Sequence, residues 1–161
     1  MGLNYNPGGS RLHFLLQRRG MLPDVSGTDA NIFQAMADPL TYGLTHLTIT
    51  VTDIHRTMQF YQKVFDMRVM YLEDNFLQLT TPGCSDILVF EKKPGAPTGD
   101  SGGIAHFGFR LKKADDIEVI VNKIIDGGGI IISRGEFVEG SPYVFFKDPD
   151  GYDVEVWYEL L

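Results

Sequence analysis

From Leu44 onward the chain falls into two blocks that run through the same order of hydrophobic periods. In the first, His46-Leu47-Thr48-Ile49-Thr50-Val51 alternates apolar and polar positions and predicts a strand with one apolar face. Thr52 or Asp53 then caps a helix to about Phe65, with Ile54, Met58, Tyr61 and Phe65 at helical spacing. Strands follow near 68–72, 76–80 and 87–91, separated by turns at Glu73-Asp74-Asn75 and Pro82-Gly83. The second block repeats this order. Ile104 to Leu111 predicts a strand, Asp115 opens a helix to about Ile125, and Gly127-Gly128-Gly129 ends it. Strands near 130–133, 143–146 and 153–158 complete the unit.

The match between blocks extends to single residues. His46 precedes Asp66 by 20 residues, and His106 precedes Asp126 by the same 20. The fold class is therefore α+β: paired βαβββ modules, over 44–93 and 103–159, in a single domain covering 43–161. Lys93 to Gly103, with two prolines and four glycines, is the linker. Residues 1–42 read differently. Met1 to Gly9 is rich in Gly, Asn and Pro, Leu12-His13-Phe14-Leu15-Leu16 sits between basic residues, and Asn31 to Ala37 predicts a short helix. This extension is expected to be partly disordered or a docking arm, and its apolar run is too short for a secretory signal.

One hairpin stands out. Val144-Phe145-Phe146 leads through Lys147-Asp148-Pro149-Asp150-Gly151 into Asp153-Val154-Glu155-Val156-Trp157, a strand, a tight turn and a strand. Alternation places Asp153, Glu155 and Trp157 on one face and the valines on the other. A carboxylate among apolar neighbours needs a partner, because burying it alone is costly.

If the modules pack as equivalents, His46 and His106 are counterparts, and Glu155 completes a set of two histidines and one carboxylate. Such a set holds a divalent metal and leaves positions open. Two satisfied strand histidines remain the alternative on spacing alone.

Composition narrows the function classes. The net charge of −7 argues against a general nucleic-acid binder, which works through Lys and Arg. No apolar run approaches the roughly 18 residues of a membrane helix. The single cysteine, Cys84, gives neither an intrachain disulfide nor a cysteine metal cluster, so a reducing, cytoplasmic location is the simplest reading.

His46-Leu-Thr-Ile-Thr-Val-Thr-Asp, Met58-Gln-Phe-Tyr-Gln-Lys-Val-Phe-Asp-Met67, His106-Phe-Gly-Phe and Phe146-Lys-Asp-Pro-Asp-Gly-Tyr-Asp-Val-Glu155 together resemble the vicinal oxygen chelate superfamily. That group includes glyoxalase I, extradiol dioxygenases, fosfomycin-resistance transferases and bleomycin-resistance proteins. The resemblance implies a cupped, partly open mixed β-barrel and one divalent metal ion (Fe, Mn, Ni, Co or Zn) held by His46, His106 and Glu155. It implies a small-molecule substrate and a homodimer, with no nucleic-acid or membrane partner. It further implies either a lyase or isomerase using a metal-stabilised enolate, the first expectation, or a non-haem Fe(II) dioxygenase. A metal-free drug-binding protein is the third. By register, Val89 stands where glyoxalase I carries a further carboxylate, so Glu91, two residues on, is the candidate base. Phe145 stands where extradiol dioxygenases carry a tyrosine, and no histidine lies between His106 and Glu155. Arg110, Tyr143, Phe145 and Trp157 are candidates for the substrate pocket.

Overall fold

The computed structural model describes residues 40–41, 43–99 and 102–160. The expected extension over 1–42, with the helix at Asn31–Ala37, lies outside the described residues except for Leu40 and Thr41. The chain divides at Gly43 into two units, of which Leu44–Leu161 carries both modules.

The first module is β1 (His46–Val51), α1 (Ile54–Phe65), β2 (Arg68–Glu73), β3 (Phe76–Thr80) and β4 (Ile87–Lys92). Its sheet runs β1-β4-β3-β2, with β1 and β4 parallel and the rest antiparallel. Asp53 caps α1, accepting a bond from the Arg56 amide at 3.0 Å, and that bond holds its carboxyl below the usual carboxylate value. Asp66 closes the helix at φ 54°, a left-handed position that Asp tolerates better than most residues. The buried face of α1 is Ile54, Thr57, Phe60, Tyr61 and Val64. The expected stripe through Met58 and Phe65 is thus rotated, with both of those residues only half-buried at its edges.

The second module repeats the plan: β5 (Phe107–Arg110), α2 (Ile117–Asp126), β6 (Ile130–Glu136), β7 (Pro142–Lys147) and β8 (Asp153–Trp157). Its sheet runs β5-β8-β7-β6, again with only the first pair parallel. Two expectations are corrected. The strand expected from Ile104 begins only at Phe107, the first residue paired with β8, because Gly102 and Gly103 before it take positive φ. The expected helix start at Asp115 is instead a 3-10 turn over Ala114–Asp116, with no side-chain cap on α2.

One continuous core joins the modules. Ile49, Val51, Leu77, Leu79, Leu88 and Phe90 of the first sheet meet α1, α2 and Val144, Phe146, Val154 and Val156 of the second. Phe65 of α1 stacks on Phe109 of β5 at 3.8 Å, and Phe60 meets Phe146 at 6.1 Å. The alternation that sends these residues inward turns the opposite face of each sheet away from this core. The two sheets do not close on each other, so the barrel is partly open.

Candidate metal centre

The core-averted face of the second sheet is built in rows. Directly opposite residues on neighbouring strands project to one side, so Gly108, Glu155 and Phe145 form one row. Arg110, Trp157 and Tyr143 form the next. Lys147 and Asp153 flank the first row on the turn side and are ion-paired at 2.7 Å.

His106, immediately before β5, brings its Nε2 to 3.4 Å from Glu155 Oε2. Glu155 is buried, so the partner its position demands is supplied here by an imidazole. The Phe145 ring stands edge-on to His106 at 5.3 Å and walls this pair on one side. Gly108 opens the other. A Cβ there would lie 3.2 Å from the Glu155 carbonyl oxygen and 3.6 Å from Glu155 Oε2.

The donor set fits a divalent cation. Nitrogen and oxygen atoms each about 2.1 Å from one ion lie about 3.0 to 3.4 Å apart for angles between a right angle and the tetrahedral angle. The observed 3.4 Å falls at the upper end of that range. Two donors, however, are not a complete site. His46 and Glu91 lie on the core-averted face of the first sheet, and among the described residues no three His, Cys, Asp or Glu side chains converge. His46 is exposed, with its Nδ1 3.2 Å from Thr45 Oγ1.

Register makes the repeat quantitative. Thr48 pairs with Val89 as Gly108 pairs with Glu155, and Thr50 pairs with Glu91 as Arg110 pairs with Trp157. Val89 is therefore the counterpart of Glu155, as the sequence register indicated, and Glu91 is the counterpart of Trp157. Glu91 stands about 7 Å further along the strand than Val89. Its carboxylate is 2.5 Å from Lys93 Nζ.

The pocket candidates Arg110, Tyr143, Phe145 and Trp157 do share one face. Arg110 is engaged by Glu159 at 3.0 Å. Sequence reasoning missed Phe137, which stacks on Tyr143 at 4.2 Å and meets Trp157 edge-on at 6.2 Å. It lies in the β6–β7 connection, where no periodicity marks it. A separate cavity of about 460 Å³ between α1, α2 and β5, floored by Phe65 and Phe109, contains none of the four donor candidates.

The Asp148-Pro149-Asp150-Gly151 turn aims β8. Asp148 Oδ1 accepts the amides of Asp150 at 3.0 Å and Tyr152 at 2.9 Å, and Gly151 takes φ 90°. Burial pushes the Asp148 carboxyl above its ordinary value, against the pull of those amides and of the Tyr61 hydroxyl 2.9 Å away. The same burial, with the Asp148 charge beside it, pushes the Tyr61 hydroxyl well up. Asp150 reaches out of the turn altogether, to Thr52, Arg56 and Thr57 of the first module.

Comparison with known proteins agrees with this architecture. Residues 43–156 match the model of the Glyoxalase/Bleomycin resistance protein/Dioxygenase superfamily. The chain is 28% identical over 112 residues to a catechol-2,3-dioxygenase of Bacillus subtilis, covering 68% of this chain and 39% of that protein. It is 28% identical over 122 residues to the lactoylglutathione lyase GLX1 of Arabidopsis thaliana, covering 69% of this chain and 42% of that one. The chain thus spans well under half the length of these curated relatives. Among solved structures, the fosfomycin resistance protein FosX from Mesorhizobium loti superposes with a TM-score of 0.62 at 17% identity, over 76% of this chain and 96% of that one. A lactoylglutathione lyase from Agrobacterium tumefaciens gives 0.57 at 15%, over 74% and 96%. At such identities these structures speak for the fold alone. The chain belongs to the glyoxalase/bleomycin resistance protein/dioxygenase superfamily, the vicinal oxygen chelate group.

Proposed function

We propose that the protein is a divalent-metal-dependent enzyme acting on a small molecule with vicinal oxygens, and that it works as a homodimer. The observation that carries this reading is the His106–Glu155 pair at 3.4 Å, placed on a core-averted face with Gly108 opening space beside it. In this reading the third ligand is His46 of a second copy, whose first sheet covers the second sheet of this one. The exposed apolar residues of the outermost strands support an interface, with Met70 53% exposed on β2, and Ile130 67% and Ile132 51% exposed on β6. A divalent cation at such a site polarises two chelating oxygens and favours charge developing on them.

The reaction we place first is a lyase or isomerase step, proton transfer beside a carbonyl, with Glu91 of the His46-bearing face as base. For this role Glu91 has to leave Lys93 and reach back along the strand toward the Val89 position. A dioxygenase is the second reading. It is favoured by the set of two histidines and one carboxylate, by the absence of a carboxylate at Val89, and by the 28% identity to a catechol dioxygenase. Glu91→Gln separates the two: it removes the base and stops proton transfer, while leaving oxygen consumption with Fe(II) intact. The metal requirement itself is tested by elemental analysis of reconstituted protein. Less than about 0.1 metal per chain, unchanged by His106→Ala, points to the metal-free binding protein instead. The exposed lone thiol of Cys84 accords with a reducing, cytoplasmic setting.

A further inference from the structure

We infer that the face beside the His106–Glu155 pair carries an aromatic subsite, which selects a substrate whose chelating oxygens bear a planar, uncharged ring. The inference rests on the metal-site reading for the position of the chelating head and on the second sheet for the rest.

Four rings line up away from the pair. Phe145 stands edge-on to His106 at 5.3 Å and to Tyr143 at 5.7 Å. Tyr143 stacks on Phe137 at 4.2 Å, and Trp157 closes the row edge-on to Phe137 at 6.2 Å. All four are half-buried and lie outside the shared core, so their remaining surface belongs to this face. From the Glu155 row to the Trp157 row is two strand residues, about 7 Å, enough for one ring and the bond that attaches it. Edge-to-face and offset contacts with such a row favour a flat aromatic body over an aliphatic one of the same area.

Charge disfavours the common alternative, a substrate with an anionic tail. Among the described residues, Arg110 and Lys147, two cations on this face, are each ion-paired, with side chains 56% and 45% exposed. Arg110 Nη1 is 3.0 Å from Glu159, and Lys147 Nζ is 2.7 Å from Asp153 and 3.1 Å from the Gly151 carbonyl. A carboxylate or phosphonate tail would have to break one of those pairs and would meet Glu159 or Asp153.

Trp157 is the single tryptophan of the chain, so its fluorescence reads this wall directly. The Zn(II)-loaded protein is titrated with lactate, 2-hydroxyadipate and 3-phenyllactate, three 2-hydroxycarboxylates that share one chelating head and differ in the tail. 3-Phenyllactate should bind about tenfold tighter than lactate, and 2-hydroxyadipate no tighter than lactate. Phe137→Leu alone, and with Tyr143→Leu, should bring that ratio below about threefold with the zinc content unchanged. Equal affinities for lactate and 3-phenyllactate, tighter binding of 2-hydroxyadipate, or a ratio that survives both variants would overturn the subsite. A phenyl preference that persists in protein unable to retain zinc supports the subsite and removes the metal reading instead.

Discussion

Asp150 Oδ1 lies 2.7 Å from Arg56 Nη2, across the seam between the two modules. The same oxygen accepts the Thr52 amide at 2.8 Å and the Thr52 hydroxyl at 2.7 Å, and Oδ2 accepts the Thr57 hydroxyl at 3.1 Å. The Asp150 side chain is 1% exposed and the Arg56 side chain 45%. A turn residue of the second module thus holds the end of the strand that bears His46 and the start of α1. Gly99 of the linker packs on this turn, where a Cβ would stand 3.0 Å from the Asp150 carbonyl oxygen.

Removing Asp150 should cost far more than removing Arg56. Asp150→Ala removes the buried charged acceptor of the Thr52 amide and hydroxyl and of the Arg56 guanidinium, while the Thr57 hydroxyl keeps the Asp53 carbonyl at 2.9 Å, and should lower unfolding stability by about 2–4 kcal/mol. Arg56→Ala, at a partly exposed end, should cost about 1 kcal/mol or less. Denaturant unfolding of both variants measures the difference; equal losses would show that the ion pair, not the amide and hydroxyl bonds, ties the modules.

Asp148 gives a pH dependence of defined sign. Its folded-state pKa is raised, chiefly by desolvation. Its contribution is therefore fully present below the ordinary aspartate value and is lost as pH rises through the raised one. In Asp148→Asn the amide oxygen still accepts the Asp150 and Tyr152 amides. At neutral pH the variant should match or slightly exceed the wild type. That standing should reverse as pH falls through the window between the raised and the ordinary value, where the wild type gains by protonation. Parallel unfolding curves across that window check it; a difference independent of pH would contradict the assignment.

A shared metal site predicts complementation between broken chains. His46→Ala and Glu155→Gln homodimers should each lose bound metal. Refolded as a 1:1 mixture, they should recover about a quarter of the wild-type metal, because half of the dimers are mixed and each mixed dimer rebuilds one of its two sites. No recovery would place all the ligands of a site on one chain.

Gly108 should report on the site without supplying a ligand to it. Gly108→Ala presses a methyl group toward the Glu155 carbonyl and carboxylate. It should weaken Zn(II) affinity about tenfold while costing about 1 kcal/mol of stability. Calorimetric metal titration beside thermal unfolding separates the two effects, and an unchanged affinity would remove Gly108 from the site.

The legible part of this protein was periodic. Alternation over His46–Val51, the caps at Asp53 and Gly127, and the 20-residue echo between the histidines identified both modules and the order of their strands, and alternation placed His46 and Glu155 each on one face of its strand. Register even located Val89 as the counterpart of Glu155. What could not be read was non-periodic. Asp150 looks like a turn residue, and nothing local names partners 98 residues away. Phe137 sits in a connection, and its stacking partner is known only once β6 and β7 pair.

The sequence by itself determined local backbone preference and the side of each strand on which a residue projects, since both follow from nearest neighbours and a period of two. Only the tertiary structure decided which faces turn inward. Packing α1 against both sheets buried the faces of Ile49 and Val154 and left those of His46 and Glu155 averted from the core. That choice depends on fitting ring volumes such as Phe65 on Phe109, which no single stretch of chain specifies. It brings His106 to Glu155 within one chain and places His46 on the other sheet.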